Sequence, residues 1–99
     1  MVSCRIYVVG HAPNSQRAIQ NLTALCRAHL PERHRIEIID VFVQPDRALA
    51  DKILLTPTLV IDTPFPARRV VGDLSDGTIL RQALTLDLDA SEDRVGPDA

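Results

Sequence analysis

The residues best suited to nucleophilic or metal chemistry lie far apart in this 99-residue sequence. Cys4 and Cys26 are 22 positions apart, without the close spacing of a redox motif or a zinc ribbon, and both also fit the role of small buried hydrophobes. His29 follows Cys26 at position i+3 of a helical pattern, but two ligands do not complete a zinc site. We therefore expect neither thiol exchange nor a metal centre.

His11, Ser15 and Asp40 are the remaining candidates for acid–base or nucleophilic catalysis. A serine hydroxyl is a weak nucleophile unless a base lies within hydrogen-bond reach and a third group orients that base. The spacing of these three residues matches no such arrangement. We expect a protein that is not an enzyme and that needs no cofactor.

Basic residues offer a different chemistry, which is the binding of acidic surfaces. Ten of the eleven basic residues are arginines, which pair with carboxylates through two parallel hydrogen bonds. Residues 87–99 contain five acids and one base, a charge of −4, so residues 1–86 carry +2 of the total of −2. No basic run exceeds Arg68-Arg69 and only 3% of the residues are aromatic, which argues against nucleic-acid binding.

The first half of the sequence predicts a strand, a helix and a second strand. Residues 3–9 are β-rich and end at Gly10. Apolar residues then recur at intervals of three and four over about residues 14–30, the pattern of a helix with one buried face. Residues 35–43 form a more continuously apolar run, as expected for a strand in a central or parallel position.

The second half predicts a short helix, two strands and a final helix. The short helix covers residues 46–54, a strand begun by a proline covers residues 55–62, and a strand antiparallel to it covers residues 67–72. Asp73, Ser75 and Asp76 are turn or capping residues for a helix over about residues 78–86. Residues 1–86 are thus expected to form one domain, and residues 87–99 an acidic, disordered tail. No apolar run reaches the ~18 residues of a membrane span and no signal sequence is apparent, so we expect a cytoplasmic protein.

The order βαβαββα, with a parallel first half and an antiparallel second half, resembles thioredoxin. Thioredoxins carry Cys-x-x-Cys at the first turn, where this sequence has His11-Ala12-Pro13-Asn14. They also place a cis proline opposite that turn, in a context similar to Thr56-Pro57-Thr58. Because no cysteine occupies the first turn, the resemblance extends to the fold and not to disulfide exchange.

A more specific resemblance is to the KaiB family of circadian clock proteins and to the KaiB-like sensor domain of the associated histidine kinase. The matching motifs run in one register through residues 5–86: Tyr7-Val8-Val9-Gly10, Pro13-Asn14-Ser15, Arg17-Ala18, Ile39-Asp40-Val41, Gln44-Pro45, Ala50-Asp51-Lys52-Ile53-Leu54, Thr56-Pro57-Thr58-Leu59, Pro64, Pro66 and Arg68-Arg69-Val70-Val71-Gly72-Asp73-Leu74-Ser75.

This resemblance implies a regulatory binding protein that attaches to the N-terminal ring of the hexameric ATPase KaiC and favours KaiC dephosphorylation. KaiA, or a histidine kinase of the same pathway, would be a further partner, and homodimers or homotetramers are expected of the family. The positions that match the family's binding residues are Arg17, Asp40, Lys52, Arg68 and Arg69. Each arginine also fits a solvated surface charge. An alternative within the same resemblance is a KaiB-like adaptor in stress or signalling that has a different partner and no oscillator.

The resemblance also implies two folds, a tetrameric ground state and a thioredoxin-like state that binds KaiC. Pro57, Pro64 and Pro66 lie in the half that rearranges and are the candidate switch prolines. Clock-type members have Gly and Asp where this sequence has Ala83 and Thr85, and Ala favours a helix interior over Gly by ~1 kcal/mol. We therefore expect this chain to rest mainly in the thioredoxin-like state.

Overall fold

Within the part of the chain that the structure describes, the fold contains one four-stranded sheet and three helices. A computed structural model describes residues 1–63 and 66–84. The elements, in chain order, are β1 (Val2–Val8), α1 (Pro13–His29), β2 (His34–Asp40), α2 (Pro45–Ala50), β3 (Thr58–Thr63), β4 (Arg68–Val71) and α3 (Gly77–Ala83). This order confirms the predicted thioredoxin-like arrangement. No helix in these two ranges has the length and apolar content required to cross a membrane.

The strands lie in the order β2-β1-β3-β4, with β1 and β2 parallel and the other two pairs antiparallel. The parallel position of β2 is as predicted, but this strand lies at the edge of the sheet and ends at Asp40 rather than at residue 43. Its apolar run therefore does not indicate a central strand. Ile38, Phe42 and Val43 are instead largely exposed.

Side chains alternate between the two faces of the sheet, so each face has its own core. On one face, Cys4, Ile6 and Val8 of β1 pack with α1 and α3. On the other face, Tyr7 packs with Ile39 and Val60 under α2 and the segment that follows it. The second core is much the smaller, and α2 itself has no buried residue.

The segment between α2 and β3 departs from the predicted pattern. The helix ends at Ala50 rather than at residue 54, because Asp51 is its C-terminal cap and Lys52 adopts a left-handed backbone with φ of 55°. An irregular segment follows, and the next strand begins only at Thr58. The Thr56–Pro57 peptide bond is cis, in agreement with the resemblance to thioredoxin.

The final helix is also shorter than predicted within the described residues. Asp76 caps its N-terminus by accepting hydrogen bonds from the N–H groups of Thr78 (3.0 Å) and Ile79 (3.2 Å). Ala83 is its last residue rather than an interior one, so the advantage of Ala over Gly there is smaller than the interior value. The predicted switch positions Pro64 and Thr85, and the predicted tail of residues 87–99, lie outside the described residues.

Candidate partner-binding surface

The adjacent arginines of β4 lie on opposite faces of the sheet. Arg69 is paired with Val60, on the α2 side, and Arg68 with Ile61, on the α1 and α3 side. The Arg68 guanidinium donates to the carbonyl oxygens of Gln82 (3.1 Å) and Ala83 (3.0 Å), so this cation stabilises the C-terminal end of α3. Arg68 and Arg69 therefore cannot act as one basic pair.

Arg69 instead lies beside the segment that contains Lys52. Its guanidinium donates to the backbone carbonyl oxygens of Asp51 and of Lys52, the latter at 3.4 Å. Both cations are exposed. Two of the five binding positions implied by the resemblance are thus neighbours on the α2 side of the sheet.

These two cations border an apolar groove of about 210 Å³. Its walls come from the segment after α2, from the first residue of β3 and from the edge strand β4: Lys52, Ile53, Leu54, Leu55, Thr58, Arg69 and Val71. Leu54 is 91% exposed and Val71 57%, so the groove presents apolar side chains directly to solvent. Positive charge around exposed leucines and valine suits a partner with both acidic and apolar side chains.

A partly buried polar network adjoins this groove at Asp51, the residue before Lys52. The hydroxyl of Tyr7, a fully buried residue, donates to the carboxylate of Asp51, and Arg5 pairs with Asp51 (3.4 Å) and with Asp62 (2.9 Å). Burial, together with the hydrogen bond to Asp51, raises the pKa of Tyr7 to about 12. The network ties Asp51 to strand β1 and so restrains the start of the segment that forms one wall of the groove.

Sequence reasoning missed both the network and the groove. The signal for the groove was the run Ile53-Leu54-Leu55, which stands before Pro57 in a segment too short for another element. The network had no local signal, because Tyr7 and Asp51 are 44 positions apart.

The other two implied binding positions lie elsewhere. Arg17 is exposed on α1, and its Nε lies 3.5 Å from a carboxylate oxygen of Asp73. The pKa of Asp73 is lowered, chiefly by hydrogen bonds from Ser75 and further by Arg17. The Asp40 carboxylate accepts from the N–H groups of Gly10 (3.0 Å) and Phe42 (2.8 Å), and so links the turn after β1 to the turn after β2.

The residues considered for catalysis have structural contacts instead. The Ser15 hydroxyl, on a buried residue, accepts from the N–H of Val9 (3.1 Å), and the ring of His11 contacts Gln16 (3.5 Å). Both cysteines are buried free thiols, and burial raises the pKa of Cys4 to about 12 and that of Cys26 to about 11. Protonated, inaccessible thiols of this kind are poor nucleophiles. Residues 1–63 and 66–84 contain no group of three or more His, Cys, Asp or Glu side chains placed to hold a metal ion.

The fold and the surface together define a thioredoxin-like domain whose first turn carries no thiol and whose exposed groove combines leucines with basic side chains. Chloroplastic thioredoxin z has the same fold, with a TM-score of 0.72 and 21% identity over 89% of this chain and 80% of that one. The N-terminal domain of SasA from Synechococcus elongatus is also similar, with a TM-score of 0.69 and 25% identity over 85% of this chain and 83% of that one.

The family model described as the KaiB domain matches residues 5–86. The circadian clock protein KaiB3 of Synechocystis sp. is 43% identical over 72 residues, which cover 73% of this chain and 71% of that protein. The circadian clock oscillator protein KaiB of a Synechococcus species is 38% identical over 95 residues, 96% of this chain and 83% of that protein. The chain belongs to the KaiB family.

Proposed function

We propose that this chain is a non-catalytic regulatory binding protein of a Kai-type timing system in the cytoplasm. In its thioredoxin-like state it binds the N-terminal ring of a hexameric KaiC-type ATPase and favours dephosphorylation of that ATPase. Membership of the KaiB family supports this role, as does the similarity to the SasA domain. KaiA or a histidine kinase of the same pathway is a further partner in this proposal.

The observation that carries the proposal is the groove bordered by Lys52 and Arg69. The resemblance implies a binding role for both cations, and both line this groove together with exposed leucines. Arg17, Arg68 and Asp40 lie away from this groove, so we assign them a secondary part in binding.

The test is light scattering during size-exclusion chromatography of the protein with the KaiC-type ATPase of the same organism in the presence of ATP. Wild type is expected to co-elute with the hexamer and to accelerate loss of its phosphorylated form on a gel. Lys52→Glu should weaken binding about tenfold, because it reverses a charge at the border of a charge-complementary contact. Arg33→Glu, the same change at an exposed residue before β2, should bind like wild type.

Each other result has a definite meaning. Equal loss of binding in Lys52→Glu and Arg33→Glu would show that net charge, and not the groove, drives association. A protein that never joins the hexamer would reject the proposal in favour of a KaiB-like adaptor with a different partner. A tetramer in which the amides of α3 are not helical would reject the thioredoxin-like state as the resting state.

A further inference from the structure

The edge strand β4 offers backbone hydrogen-bonding groups to a further strand. The N–H of Gly72 donates to the carbonyl oxygen of Pro57 (2.9 Å), and the register pairs Val71 with Thr58. In an antiparallel ladder, successive residues direct their N–H and C=O groups alternately toward and away from the neighbouring strand. Since Gly72 bonds toward β3, the backbone groups of Val71 and Arg69 point to the open side.

A concavity lies on each face of this edge. The groove bordered by Lys52 and Arg69 is on the α2 side. On the α3 side there is a second concavity of about 180 Å³, lined by Val70, Val71, Gly72, Asp73, Leu74, Ser75, Asp76 and Ile79. Ile79 is 50% exposed there. An extended peptide places alternate side chains on opposite faces, so one added strand would fill both concavities at once.

We propose that β4 takes up an extended segment of a partner protein as a fifth strand, with glutamates on the α2 side alternating with aliphatic residues on the α3 side. A glutamate opposite this edge covers Val71 with its methylene groups and reaches Arg69 and Lys52 with its carboxylate. An aliphatic residue of the opposite face packs against Val70 and Ile79. Strand addition of this kind draws affinity from main-chain bonds and specificity from the alternate pockets.

A parallel strand added to this edge directly after α3 would require a crossover of unfavourable hand. Strands β1 and β4 run in the same direction, because each is antiparallel to β3, and α1 and α3 cover the same face. The crossover β1–α1–β2 moves across the sheet away from β4, whereas a crossover from β4 through α3 to a new edge strand would move in the other direction. Because the strand direction and the covered face are the same, the two crossovers would have opposite hands. One of the two would be left-handed, which ~98% of parallel crossovers avoid.

A second copy of the chain is also a poor occupant. Antiparallel pairing of two β4 strands would bring Arg69 and Lys52 of both copies to one face of the joined sheet, where like charges repel. An acidic partner strand has the complementary charge. The inference rests on the proposed function in one respect, which is that the regulatory partner carries the acidic extended segment. A synthetic peptide tests strand addition at β4 without that partner.

The experiment is a titration of the isotopically labelled full chain with the capped hexapeptide Glu-Val-Glu-Val-Glu-Val, followed by amide NMR. We expect the largest shifts at the amides of Arg69 and Val71, with hydrogen exchange of both slowed at least tenfold. Arg69→Glu should weaken the peptide about tenfold. The peptide with Lys in place of Glu, and the peptide N-methylated at alternate residues, should not bind.

Variants at the edge itself separate strand addition from simple charge attraction. Val71→Pro removes an N–H that points away from β3, so the native ladder is kept while peptide binding is lost. Val71→Thr keeps the N–H and should bind normally. Thermal unfolding shows whether both variants are folded. If Val71→Pro does not fold, peptide binding by Arg69→Glu tests the inference instead.

Four outcomes overturn the inference. Normal binding of the N-methylated peptide, or shifts confined to the edge of β2, would show that β4 adds no strand. Binding that appears only after Asp87→Asn and Asp89→Asn would show that the chain's own acidic residues occupy the edge. Dimers without peptide, with slow exchange at Arg69, would show that a second copy does. Peptide binding at β4 without binding to the KaiC-type ATPase would keep this inference and reject the proposed function.

Discussion

Removal of the Tyr7 hydroxyl tests the polar network of Tyr7, Arg5, Asp51 and Asp62 that adjoins the groove. Tyr7→Phe keeps the buried ring but deletes the hydrogen bond to the Asp51 carboxylate and the weaker one to the carbonyl oxygen of Arg47 (3.4 Å). A hydrogen bond to a charged group contributes ~1.5–3 kcal/mol net, so we expect a loss of about 2 kcal/mol. For a domain of this size, that loss lowers the melting temperature by roughly 10 °C.

The same bond makes the effect depend on pH. The pKa of Tyr7 is raised from 10.0 to about 12, first by burial and then by Asp51, so the folded state holds the phenolic proton more tightly than the unfolded state. The resulting stability is fully present below pH 10 and is lost as the pH rises toward about 12. The difference in stability between wild type and Tyr7→Phe should therefore be constant near neutral pH and shrink above pH 10.

The composition makes this measurement direct. The chain has one tyrosine and no tryptophan, so the phenolate absorbance reports Tyr7 alone. Circular dichroism gives the stability of wild type and Tyr7→Phe. A native-state titration midpoint near 10, or a melting temperature of Tyr7→Phe within ~2 °C of wild type, would refute the reasoning.

Three further changes probe the frame around the surface. Asp76→Ala should cost about 1 kcal/mol in thermal unfolding because two N–H groups of α3 lose their cap, whereas Asp76→Asn should cost little; equal losses would contradict a capping role. Cys4 and Cys26 should be alkylated at pH 8 only at the rate of unfolding, and rapid labelling of the native protein would show that these thiols are not buried. Arg68→Gln should speed hydrogen exchange in α3, since two carbonyl oxygens at the end of that helix lose a donor, while exchange in α1 stays unchanged.

Local periodicity was sufficient to predict most of the fold. The three-and-four spacing predicted a helix over residues 14–30, and the structure has α1 at Pro13–His29. The edge position of β2 was not predictable from its apolar run. A parallel strand at the edge, with Ile38 half exposed, has the same continuous apolar sequence as a central strand that is buried on both faces.

The candidate surface was predicted only in part, for reasons of geometry. The resemblance to KaiB supplied Lys52 and Arg69, but the strict alternation of a strand separates Arg69 from its neighbour Arg68. The end of α2 depended on the left-handed backbone of Lys52. A lysine rarely adopts this conformation, and no sequence pattern predicts it here. The contact of Tyr7 with Asp51 depended on the three-dimensional path of the chain.

The unequal size of the two cores has a consequence for how the molecule opens. A six-residue helix with no buried residue covers the smaller core, whereas the 17-residue α1 buries Ala18, Leu22 and Cys26 against the larger one. Local opening costs least where few apolar contacts must be broken. The α2 side should therefore open locally at a lower free-energy cost than β1 and α1, and the contacts of Tyr7 and Arg5 with Asp51 are what oppose that opening. Any partner that binds the stretch carrying Lys52 would then increase its protection from exchange far more than that of α1.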